Sequence, residues 1–136
     1  MRLDVPYVNL VAAWFGILAG FFSGMLLGLG FHRAGFLGGY DSLQRRCYRL
    51  AHISFFGLAI VNVVFWLTAE YCAWTGPGLV WAAMSFLVGA VSMPVCCVTM
   101  AHWTRAKPVV LFTVPVGSLM LGGAVTVIHL LTQSTI

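Results

Sequence analysis

Residues 7–30, YVNLVAAWFGILAGFFSGMLLGLG, contain no charged side chain. Wound as an α-helix this stretch is about 36 Å long, more than the roughly 30 Å of hydrocarbon in a bilayer. Three further runs are also apolar and long enough to span: residues 50–70, which ends on Glu70, 79–101 and 109–131. All four are continuous rather than alternating in polarity. A transmembrane barrel would show short alternating segments, and only helices satisfy their own backbone groups in lipid without such pairing. The expected fold is an all-α integral membrane protein, a four-transmembrane-helix bundle of two hairpins, forming one domain over residues 1–136.

The composition agrees. Of 136 residues, 61% are hydrophobic and 7% charged, whereas a soluble domain carries about a quarter charged residues. So few charges cannot solvate a globule of this size, which excludes a soluble domain. The net charge of +4 does not indicate nucleic-acid binding, because the cations flank apolar runs instead of lining a polar face. The first apolar run is too long for the core of a cleaved signal peptide.

The connections carry the breakers. Residues 31–48, FHRAGFLGGYDSLQRRCY, read as a polar loop. Residues 72–78, CAWTGPG, form a short turn, and residues 102–108, HWTRAKP, lead into the last helix with Pro108 in its first turn, where a missing N–H costs nothing. Arg33, Arg45, Arg46, Arg49, Arg105 and Lys107 fall on one side of the membrane; Arg2 alone falls on the other, with Asp4 and Glu70. Cytoplasmic loops collect Lys and Arg. The first and third loops are therefore expected in the cytoplasm, both termini outside, and the setting to be a prokaryotic inner membrane. Trp74 and Trp81 then fall at the outer interface and Trp103 at the inner one.

The most specific pattern is in the first span, where Ala12, Gly16, Gly20, Gly24 and Gly28 recur at every fourth position. Such residues form one slowly winding groove and let helix backbones approach closely in lipid. The partner is either a neighbouring helix of the same chain or another subunit or copy. Pro94 and Pro115 lie at one depth in helices three and four; paired bends there would open a pocket toward the cytoplasmic leaflet.

Candidate chemistry concentrates near the basic loops. His52 lies just inside the second apolar run and His102 ends the third. Two imidazoles at that level are a ligand pair for haem b, with Arg49 and Arg105, joined by Arg45 and Arg46, as counter-charges for its propionates. Interfacial histidines also simply bind headgroups. Met93, Cys97 and Met100 share one face of helix three, and thioether with thiolate suits Cu(I); Cys47 and Cys96 fall at a similar level. Against that, Met and Cys are adaptable apolar fillers. Asn62, mid-span, needs a bundle partner such as Ser85 or Ser92. Glu70 and His129, near Trp66, Tyr71 and Trp74 at the outer face, suit a quinone head group.

GxSxG, HExxH and Walker-type signatures are absent, and Asp4, Asp41 and Glu70 all lie at span ends. The basic Arg45–Arg46 loop followed by a histidine just inside a span resembles small membrane cytochrome b-type subunits in general shape; no residue roles carry over from them. The leading expectation is a non-catalytic accessory subunit of a larger membrane complex, respiratory or otherwise electron-transferring. It would act by packing against lipid and against other membrane subunits or copies of itself. The alternatives are a haem- or quinone-binding electron-transfer protein using His52 and His102, and a Cu(I) binder or transporter.

Overall fold

A computed structural model describes residues 5–103 and 108–133. All regular structure among them is helical: α1 (Val5–Gly30), α2 (Leu43–Tyr71), α3 (Pro77–His102) and α4 (Pro108–Gln133), with a short 3₁₀ turn at Phe36–Gly38 in the first loop. All four long helices are long and apolar enough to cross a membrane. At 26 residues α1 reaches about 39 Å, so each helix has a turn or more to spare beyond the hydrocarbon. The chain is a multi-pass bundle in which successive helices pack in chain order, α1 on α2, α2 on α3 and α3 on α4, with a thinner contact between α1 and α3. Of the four, α3 is the most buried and α4 the least.

The helix ends have identifiable causes. Ser42 caps α2, its Oγ accepting from the Arg45 N–H at 3.1 Å while donating to the Leu37 carbonyl, which satisfies one of the orphan donors of a helix start. The helix therefore begins at Leu43 and not near residue 50. Arg45 and Arg46, expected in a loop, and Arg49, expected just outside the span, ride instead on its first turns. The Arg45 guanidinium lies 4.8 Å from the Phe31 ring centroid and 5.2 Å from that of Tyr40, which Arg49 also covers at 5.3 Å. These cation–π contacts fasten the first loop to α2. Arg2, Asp4, Arg105 and Lys107 lie outside the described residues.

At its other end α2 closes in a Schellman turn. The Ala73 N–H donates to Glu70 O at 3.1 Å and the Trp74 N–H to Ala69 O at 2.9 Å, with Ala73 in the left-handed region at φ 45°. This is the paired backbone pattern that ends many helices. Its hydrophobic closure is Trp74 on Ala69, and it turns the indole inward. Trp74 is thus a core residue, packed with Phe65, Leu79 and Phe86, and not the interfacial ring the sequence suggested. Trp81 and Trp103 do lie on the exposed surface. Pro77 opens α3 after Gly76, whose φ of 97° favours glycine.

The glycine stripe faces inward along most of its length. A Cβ on Gly16 would lie 3.3 Å from the Ala59 Cβ, one on Gly20 would lie 2.6 Å from the Phe56 ring, and one on Gly24 would lie 2.8 Å from the His52 ring. Each glycine is the socket for a side chain of α2, which runs antiparallel to α1. The same device joins α3 to α4: Leu119 sits on Gly89 and Phe86 on Gly122, at 2.5 and 3.1 Å from the hypothetical Cβ atoms. Gly28 faces open space.

Candidate functional site

Polar side chains inside a membrane bundle pair across helices or mark function, and here they gather at two levels. Near the Trp74 end, Asn9 and Asn62 are fully buried. Asn9 donates through Nδ2 to the Asn62 Oδ1 at 2.7 Å and to the Ala83 carbonyl of α3 at 3.2 Å. Asn62 in turn donates to Leu58 O within its own helix at 2.8 Å. One amide pair thus ties α1, α2 and α3 together. The partner of Asn62 is not the serine expected from the sequence; Ser92 donates to Val88 O of its own helix at 2.6 Å. Asn9, the only amide in the first apolar run, was the signal available and was missed.

At the basic end His52 is held between α1 and α2. Its Nδ1 lies 3.0 Å from the Ser23 Oγ, and that hydroxyl is itself 3.0 Å from the Gly20 carbonyl. A serine has one proton to give. When that proton is donated to the Gly20 carbonyl, Ser23 accepts from a neutral imidazole protonated on Nδ1; when it is donated to His52, the tautomer is the reverse. Nε2, an acceptor in the first arrangement, makes no hydrogen bond among the described residues. The absence of a side chain at Gly24 keeps this edge of the ring clear: a Cβ there would stand 3.4 Å from Nε2. Phe56 meets the imidazole edge-on, ring centroids 5.4 Å apart.

His52 lines a cavity of about 340 Å³ together with Ser23, Leu26, Tyr48, Phe55 and Val98. Tyr48, one helical turn before His52, hydrogen-bonds through its hydroxyl to His102 Nε2 at 2.7 Å. His102 is exposed and does not line the cavity. The two histidines expected to share a haem are therefore engaged separately, His52 by Ser23 and His102 by Tyr48, and they do not face one space. Arg49, expected as a counter-charge, lies over Tyr40.

The other candidates are placed as follows. Among the described residues no three His, Cys, Asp or Glu side chains converge as a metal site. Cys97 is buried, Met93 and Met100 are half-buried, and all four cysteines are free thiols. Pro94 lines a second, apolar cavity of about 410 Å³ between α1, α2 and α3, while Pro115 is fully buried; the space lies along α1, not between two bent helices. Glu70 is exposed and lines an open cavity beside Trp74 and Leu79. His129 instead stacks on the Trp74 ring, 4.0 Å between centroids and nearly parallel, and does not line that cavity. Ser23 and Tyr48 are the residues sequence reasoning overlooked. Tyr48 carried a usable signal, since positions four apart share a helix face.

Comparisons with protein-family models, with curated proteins and with solved structures find no match.

Proposed function

We propose that the protein is a small accessory subunit of a larger membrane assembly, acting by helix packing and not by catalysis. The observation that supports this reading is the contrast among its glycines. Those at Gly16, Gly20, Gly24, Gly89 and Gly122 receive side chains from within the chain, whereas a Cβ added at Gly57 or Gly117 would meet nothing within 4 Å. The fold has no use for a glycine at those two helical positions, and each costs about 0.5–1 kcal/mol relative to alanine. Small residues on an outward helix face suit the close approach of a helix from another chain.

The narrower form of the proposal places the assembly in electron transfer, in a prokaryotic inner membrane, with the basic loops in the cytoplasm. The orientation rests on six cations against one and the tendency of Lys and Arg to remain inside. The electron-transfer part rests on the histidines gathered at the basic end.

Mild-detergent purification from the native membrane tests the packing reading. The unaltered chain migrates with larger partners. Gly57→Leu or Gly117→Leu releases it from them without lowering the thermal midpoint of the isolated chain. A chain that migrates alone, or an assembly indifferent to both substitutions, contradicts the proposal. An optical spectrum of the same assembly, without haem, flavin or quinone signatures, would contradict the electron-transfer form alone.

A further inference from the structure

We propose that the crevice between α1 and α3 binds a neutral lipid with a hydroquinone head and a hydrocarbon tail, the head hydroxyl donating to His52 Nε2. The shape of the crevice gives the amphipathic form of the ligand. The His52 cavity of about 340 Å³ and the apolar cavity of about 410 Å³ are both walled by α1, α2 and α3, and Phe55 lines both. The first holds the polar groups of Ser23, Tyr48 and His52. The second is lined by apolar residues, several of them small, such as Gly16, Ala19, Ala59 and Ala90, with Asn62 as its one amide, and suits a hydrocarbon tail. Leu26 and Val98, which flank the first cavity, are also exposed on the outer surface of the chain. Entry is therefore from the lipid side, as a lipid-soluble molecule requires.

The chemistry of the head follows from what lines its cavity. Among the described residues no Lys or Arg does so, and an anionic headgroup buried without a cation would be strongly disfavoured. The head is therefore neutral. In the arrangement in which Ser23 donates to Gly20 and accepts from Nδ1, the ring offers a lone pair at Nε2, and the proposed head supplies the donor. The Tyr48 hydroxyl is already bound to His102 and does not supply it. The aromatic walls formed by Tyr48 and Phe55, with the imidazole itself, suit a flat ring bearing the hydroxyl. A hydroquinone has that donor. In that tautomer the corresponding quinone, which has only acceptors, would leave Nε2 unpaired, so the proposed site discriminates between the two oxidation states. The inference does not depend on the accessory role, because it concerns the isolated chain.

The test is equilibrium dialysis of the full-length protein in detergent, under anaerobic conditions near pH 8, where an ordinary imidazole is neutral. The probes are a decyl-substituted benzohydroquinone, its benzoquinone and phosphatidylglycerol. Saturable binding of the hydroquinone about tenfold tighter than of the quinone is expected, the ratio that one lost hydrogen bond produces. His52→Ala abolishes the preference, and Ala90→Phe, which fills the tail cavity, weakens both probes alike. Where His52→Ala does not fold, the ratio measured on the unaltered chain decides. Equal binding of the two redox forms, displacement by phosphatidylglycerol, or no saturable uptake overturns the proposal. So does a co-purified haem whose Soret band is lost in His52→Ala.

Discussion

Ala73 carries a side chain at φ 45°, where a non-glycine residue loses roughly 1–2 kcal/mol. Its left-handed turn is what allows Trp74 to fold back onto Ala69. Ala73→Gly should therefore raise the thermal midpoint in detergent without altering the helical content, and an unchanged or lower midpoint would show that the turn is not strained. The buried amide pair gives a second prediction. Asn62→Leu leaves Asn9 without its side-chain partner and should cost about 0.6–1.7 kcal/mol, the range measured for interhelical hydrogen bonds in membranes. The Asn9→Leu/Asn62→Leu double variant should be less destabilised than the sum of the single ones, as read by unfolding in denaturing detergent. At this scale the need for a partner was legible in the sequence and the partner was not. A mid-span amide must be satisfied, but serines of α3 lie at a compatible depth. Only the relative rotation of α1 and α2, set by side chains seating on glycines, selects Asn9.

The α1–α2 contact is a row of sockets, and its members are not equivalent. Gly20→Leu would drive a side chain into the Phe56 ring, already 2.6 Å from a Cβ, and overpacking of this kind costs about 1–3 kcal/mol. Gly28→Leu meets nothing and should change stability by no more than about 0.5 kcal/mol. Thermal melts of the two variants check the assignment; equal effects would mean that the stripe does not face α2 as described. The four-residue spacing was readable from the sequence. Its direction was not, because lipid-facing and helix-facing positions are both apolar and hydropathy does not separate them. The start of α2 was misjudged for a related reason. Arg45, Arg46 and Arg49 mark the end of the apolar run, but the helix is set by Ser42, which caps it about two turns before the hydrocarbon begins. His52 was found as a polar residue inside a span, while its functional geometry depends on Ser23 and Gly24 of another helix, and no local pattern reports that.

At the scale of the whole molecule the sequence was most informative, since helix length and apolar composition are properties of each run by itself. The four runs became four helices, each extended by a few residues where caps and breakers allowed. What hydropathy could not supply was the arrangement: a chain-order bundle with two cavities among α1, α2 and α3 and a hydrophobic core gathered around Trp74. Four spans require that loop one lie across the membrane from loop two and from the end of α4. Single cysteines placed at Gly35, Thr75 and Gln133, in a chain whose own cysteines are replaced by serine or alanine, can be labelled with a membrane-impermeant maleimide in sealed vesicles of one orientation. The account predicts that Thr75→Cys and Gln133→Cys react together from one side and Gly35→Cys only from the other. Labelling of Gly35→Cys and Thr75→Cys from the same side would contradict the four-span fold.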